Sequence, residues 1–158
     1  MATTSLSLTS PAFDAGESIP SKYTCEGAQT SPPLAISGVP AEAKTLALLM
    51  DDPDVPKKIK PDGMFDHWVL FNIPATTTEI AEGSNAGIVG ENGGGISEYT
   101  GPCPPKEYEP SEHRYFFKLY ALDTALPLSA RASKTDVERA MKGHVIAETQ
   151  LVAKYKKE

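Results

Sequence analysis

Three polar side chains in this chain of 158 residues stand where strongly apolar segments begin or end. Asp52 follows Leu46-Ala-Leu-Leu-Met50, His67 precedes Trp68-Val-Leu-Phe71, and His113 lies just before Tyr115-Phe-Phe117. A lone histidine at a strand end is ordinarily a surface or core residue. Two of them, with an aspartate at the end of a third strand, suggest one shared site. An Asp52 carboxylate accepting a hydrogen bond from one imidazole would fix its tautomer and favour its protonated form. The other ring nitrogen would then be a donor aimed into a pocket, an arrangement suited to phosphate, sulfate or carboxylate. His113 and Tyr115 share strand parity, so both can face that site.

Asp52-Pro-Asp-Val-Pro56 is a turn stiffened by Pro53 and Pro56. Read alone, it is an ordinary strand-ending turn. Asp52 and Asp54 offer fewer oxygens than a calcium loop needs, and no metal is expected. Tyr99-Thr-Gly-Pro-Cys-Pro-Pro105 is the most unusual segment: three prolines in four residues remove donors and fix the backbone. Its Gly101 and Cys103 N–H groups would remain free, and Gly101 allows close backbone approach, so the segment reads as an anion wall or as a structural proline loop. Asn92-Gly-Gly-Gly95 lacks the Gly-Lys-Ser/Thr of a nucleotide loop, and no cofactor is expected. His144, after Gly143, reads as structural.

The elements that must position these groups are short and mostly extended. Thr45–Asp51 is continuously apolar, as in a strand buried on both faces. His67–Ile73 and Arg114–Leu122 are rich in aromatic and β-branched residues, and Pro74 closes the first of them. Weaker strands are Leu6–Leu8, Leu34–Ser37 and Gln150–Tyr155. One helix is expected from Ser133, where Ser133-Lys-Thr-Asp136 reads as a capping box, Val137, Ala140 and Met141 give helical spacing, and Gly143 stops it. Frequent turn signals between short strands favour an all-β sandwich. Residues 52–66 and 79–112 have no strong periodicity, and loops of that length usually carry function.

Length and composition fit one domain spanning residues 1–158, with 40% apolar and 23% charged residues. A net charge of −6 argues against nucleic acid as a partner. The basic cluster Lys154, Lys156, Lys157 reads as a solubilising tail. No apolar run approaches the roughly 20 residues of a membrane helix, and Met1–Leu8 lacks the pattern of a secretion signal, so a cytoplasmic location is expected. Cys25 and Cys103 are too few for a disulfide framework or a zinc site; reduced thiols are the default, with a redox-responsive pair as an alternative.

Taken together, these segments resemble the phosphatidylethanolamine-binding protein family, which includes Raf kinase inhibitor protein. Asp52-Pro-Asp-Val-Pro56 with His67-Trp-Val-Leu-Phe-Asn72, then Tyr99-Thr-Gly-Pro-Cys-Pro-Pro105 with His113-Arg-Tyr-Phe-Phe-Lys-Leu-Tyr120, match its two composite motifs in order. Lys22-Tyr-Thr-Cys25, Ser31-Pro-Pro-Leu34 and Gly143-His-Val145 resemble its bacterial and archaeal branch. The resemblance implies a Greek-key β-sandwich with one or two short helices. It also implies a pocket for a small anion such as phosphate or phosphoethanolamine, built from Asp52, His67, His113 and Tyr115 with the Gly101, Pro102, Cys103, Pro104 wall. Pro56, Trp68 and Tyr99 would support it. Regulation of a kinase or protease by binding, and a homodimer, are further expectations from resemblance. The chain departs from the family pattern in its acidic Lys106–Glu112 segment and in the approach from Asn92. A hydrolase using the same pocket is the alternative, although no activated nucleophile is evident.

Overall fold

In a computed structural model, residues 5–158 are described, so the first half of the N-terminal stretch read for a leader lies outside them. The strands are β1 (Ser7–Thr9), β2 (Leu34–Ser37), β3 (Thr45–Asp52), β4 (Phe65–Pro74), β5 (Glu79–Ile80), β6 (Ile88–Val89), β7 (Glu112–Leu122) and β8 (Val145–Lys156), with one helix, α1 (Lys134–Met141). They form two antiparallel sheets, ordered β1-β2-β5 and β6-β4-β3-β7-β8. Sequence reasoning found β2 at its observed bounds and the cores of β3, β4 and β7. It undercounted β8, whose first half, Val145–Gln150, is largely exposed and mixes apolar with polar residues. The short β5 and β6, inside the 79–112 stretch, carry too few residues to show a period.

Alternation of side chains explains the layers. Leu46, Leu48 and Met50 of β3 point at the small sheet and share a core with Leu8, Leu34, Ile36 and Ile80. Ala47 and Leu49 point the other way and pack with Leu126, Val137 and Met141. Every residue of β3 is therefore buried, as its continuous apolar run predicts. The helix that covers the outer face starts where expected. Ser133 Oγ accepts from the Asp136 N–H, and the Asp136 carboxylate accepts from the Ser133 N–H, which together form a capping box. No described helix is long and apolar enough to cross a membrane.

Asp51 and Asp52 project to opposite faces of the large sheet. On the outer face Asp51 accepts from Lys118 at 3.0 Å and from Lys134 at 2.9 Å, tying helix to sheet. On the inner face Asp52 belongs to the pocket described next.

Candidate functional site

Antiparallel pairing brings the end of β3 beside the starts of β4 and β7, so Asp52, His67 and His113 converge from three adjacent strands. Asp52 and His113 obey simple parity; His67 does not. Trp68 pairs with Met50, but Asp66 pairs with Asp51 and Phe65 with Asp52, so His67 is the extra residue of a β-bulge. The bulge turns Asp66 to the outer face, where it meets Lys134 at 3.3 Å, and leaves His67 lining the inner pocket with Phe65 and Asp52.

Each imidazole is fixed through its Nδ1. His113 Nδ1 donates to Asp52 Oδ2 at 2.6 Å, with both side chains buried. The other Asp52 oxygen accepts from the Asp54 N–H at 2.7 Å, so the turn itself holds the carboxylate. Asp54 in turn accepts from the Arg114 N–H at 2.9 Å and from its guanidinium at 2.9 and 2.8 Å. The Arg114 hydrogen bond is the main reason the Asp54 carboxyl is held below the usual range. His67 Nδ1 donates to the Thr100 carbonyl at 2.7 Å, and Thr100 N–H returns a bond to the His67 carbonyl at 3.0 Å. Burial lowers the His67 pKa, outweighing the raising effects of the Thr100 bond and the nearby aspartates. Burial thus favours the neutral His67 ring, whose Nε2 would then be the acceptor. The imidazole held by Asp52, as expected of one of the two, is His113; a carbonyl, not a carboxylate, holds the His67 N–H. His113 Nε2 is buried without a protein partner.

Tyr115 is fully buried behind the two rings, edge-on to His67 at 5.3 Å and stacked with His113 at 6.4 Å between centroids. Its hydroxyl has no hydrogen-bond partner by geometry. Burial, and then the Asp52 charge, push its pKa far up, so it remains a phenol. It supports the rings and is not part of the lining.

The cavity, about 330 Å³, is lined by Asp52, His67, Gly101, Cys103, Pro104 and His113, all among the expected residues. Pro102 is a correction: it is buried behind the wall, where its carbonyl accepts from the Cys25 N–H. Gly101 is a second correction. Its N–H donates to Gln29 Oε1 at 2.9 Å and is not a free anion donor. Its missing side chain serves contact with the protein's own backbone, since a Cβ would stand 2.4 Å from the Tyr23 carbonyl oxygen. Pro56 and the two aromatics lie outside the lining. Trp68 donates to Asn85 Oδ1 at 2.9 Å and meets Tyr99 edge-on, and Tyr99 donates to the Tyr23 carbonyl at 2.8 Å.

The third correction concerns the thiols. Cys25 and Cys103, reduced by default on sequence grounds, form a disulfide with S–S 2.10 Å, joining the wall to the chain after the 3₁₀ turn Ser21–Tyr23.

Sequence reasoning passed over Val55, Ile59, Phe65, Thr100 and Pro105, which complete the lining. Ile59 is 54% exposed and sits among Lys57, Lys58 and Lys60. An isolated apolar residue inside a basic, proline-bracketed loop was the available signal. That loop is a second lysine cluster, and unlike the C-terminal one it flanks a pocket-lining residue.

Fold and site define a two-sheet all-β protein with one apolar-walled pocket floored by two tethered imidazoles. Residues 9–156 match the family model described as phosphatidylethanolamine-binding protein. The chain belongs to that family. A UPF0098 protein of Methanothermobacter thermautotrophicus is 46% identical over 159 residues, covering 96% of this chain and 99% of that one. Another from Chlamydia pneumoniae is 44% identical over 153 residues, with 96% and 99% covered. Among solved structures, a phosphatidylethanolamine-binding protein homologue from Chlamydia trachomatis superposes with TM-score 0.93 at 41% identity, covering 98% of this chain and 99% of that one. Escherichia coli YbcL, described as a member of the mammalian family, gives 0.85 at 30%, with 97% and 99% covered.

Proposed function

We propose that the pocket binds a small oxyanion, such as phosphate, or the anionic head group of an amphiphile, such as phosphoethanolamine. The observation that carries this reading is the pair of imidazoles whose Nδ1 atoms are already occupied by Thr100 and Asp52. Their Nε2 atoms are the groups left for a ligand, at the floor of a cavity otherwise walled by Val55, Ile59, Phe65, Pro104 and Pro105. Apolar walls with few convergent polar groups are the usual make-up of a small-ligand site.

A neutral imidazole offers Nε2 as an acceptor. An oxyanion therefore enters either with its own proton, as a phosphate monoester monoanion does, or with uptake of one by the ring. In both cases binding takes up a proton, so affinity falls as pH rises. Two features favour binding over turnover. Cys103, one candidate nucleophile, is held in the disulfide, and Tyr115, the other, stays protonated behind the rings.

Calorimetric titration of phosphate and phosphoethanolamine at pH 6 and pH 8 tests the reading. Wild type should bind, about tenfold more weakly for each pH unit across the titrating range. The His67→Ala protein should lose binding. Heat of binding that is absent at both pH values, or unchanged in the variant, would refute it.

A further inference from the structure

We propose that the Cys25–Cys103 disulfide is a thiol-exchangeable latch on the pocket wall, closed when oxidised and loosening the Pro104–Pro105 side when a dithiol reduces it. The effect on ligand rests on the anion-binding reading above; the effect on the wall does not.

Upstream of Cys103 the wall is held several times over. Thr100 is bonded to His67 in both directions, Gly101 donates to Gln29, and the Pro102 carbonyl accepts from Cys25. Downstream the picture changes. Among the described residues no backbone hydrogen bond joins residues 103–111 to another part of the chain, and pairing resumes only at Glu112 with Lys156. Pro104, Pro105 and Pro110 have no N–H to offer. The remaining hydrogen bond among the described residues is a single side-chain contact, Lys106 Nζ donating to the Glu158 carbonyl, beside the packing that buries Pro104. The disulfide, closing a separation of 78 residues, is therefore the last strong tether before a long stretch without backbone hydrogen bonds to the rest of the chain. Pro104 and Pro105, which line the cavity, lie directly beyond it.

Cys103 is exposed and Cys25 half-buried, so attack is assigned to the sulfur of the more exposed residue, Cys103. A thiolate of a small or protein dithiol attacks it, the S–S bond breaks, and Cys25 leaves as thiolate and takes a proton. The second thiol of the reductant then displaces Cys103 from the mixed disulfide. The dithiol is oxidised to its disulfide by two electrons, and the protein gains two thiols. Accessible disulfides are the ones open to such exchange, whereas buried structural ones resist it. Once free, Pro104 and Pro105 must be ordered again on each binding event. Ordering even one residue costs enough to weaken binding about tenfold.

The experiment compares oxidised wild type, wild type reduced with dithiothreitol and freed of it under nitrogen, and Cys25→Ser. Cys25 is chosen because it does not line the cavity. Phosphoethanolamine affinity is measured by calorimetry, and trypsin cleavage after Lys106 reports on the wall without any ligand. The expected result is binding about five- to tenfold weaker, and cleavage faster by at least that factor, in both unlatched forms. Equal cleavage rates in the three samples would overturn the latch, as would equal affinities, or two titratable thiols in untreated folded protein. If no form binds phosphoethanolamine, the anion reading fails by itself and the cleavage rates still decide the latch.

Discussion

His113 Nδ1 and Asp52 Oδ2 meet at 2.6 Å, both side chains almost completely withdrawn from water, across 61 residues of sequence. This contact joins the turn after β3 to the first residues of β7 and sets the orientation of an imidazole whose Nε2 has no protein partner. Removing the ring leaves a buried carboxylate that, among the described residues, keeps the Asp54 N–H as its donor at hydrogen-bonding distance. His113→Ala should therefore cost about 2–4 kcal/mol in urea unfolding at pH 7. Asp52→Asn, which keeps a hydrogen-bonding side chain of the same shape, should cost less. A His113→Ala protein within about 0.5 kcal/mol of wild type would mean that the pair does not hold the turn.

Gly101 touches backbone, and backbone does not yield as a side-chain tip does. A Cβ there would sit 2.4 Å from the Tyr23 carbonyl oxygen and 2.9 Å from Thr24 Cα. Gly101→Ala should push the wall off the Ser21–Tyr23 turn, destabilise by about 2–3 kcal/mol and weaken phosphate binding. Thermal unfolding and titration of the same sample check both. A neutral substitution would show that the wall has room to move.

Asn92 organises the loop leading to the wall. Its amide nitrogen donates to the Glu98 carbonyl at 2.7 Å and to Thr100 Oγ1 at 2.9 Å, and its oxygen accepts from the Gly94 N–H at 2.8 Å. Asn92→Ala should cost about 1–3 kcal/mol and accelerate amide exchange at Gly94 and Ile96 before any change in β3. Exchange that rises equally across the sheet would instead point to global loosening.

The Asp54 carboxyl is held below the usual range chiefly by its hydrogen bond from Arg114. A depressed folded-state value means the interaction is fully present above the unfolded pKa, about 3.9, and fades as pH falls through the folded value. Asp54→Asn should lose about 1 kcal/mol at pH 7, reduced by the exposure of Arg114, and the difference from wild type should shrink towards pH 2. Unfolding curves from pH 7 to pH 2 test this; a difference that grows in acid would contradict the assignment.

Strand parity was sufficient wherever a strand runs without interruption. Leu46, Leu48, Met50 and Asp52 alternate cleanly, and the outcome is an aspartate on the core-facing side of β3. His113 and Tyr115 follow the same rule on β7. His67 shows where that logic ends. Counting back from Phe71 and Val69, which face the helix, places it on the outer face; only the bulge against Asp51 brings it inward. A bulge depends on pairing between strands, and no single strand's sequence displays it. The role of Gly101 was hidden for the same reason, since its neighbours Tyr23 and Thr24 lie nearly 80 residues away. The meeting of Cys25 with Cys103 is likewise a product of the fold.

On the anion-binding proposal, His67 and His113 present their Nε2 atoms to the ligand. Imidazole nitrogen chemical shifts, read by NMR during addition of inorganic phosphate at pH 6.5, test it most directly. The chain contains three histidines, and His144, bonded to Asp123 at 2.8 Å beyond the helix, serves as an internal control. Both pocket rings should carry a proton on Nδ1, and their Nε2 signals should move together and saturate while His144 stays in place. If only His144 responds, or if no ring does, the pocket does not bind phosphate through its histidines.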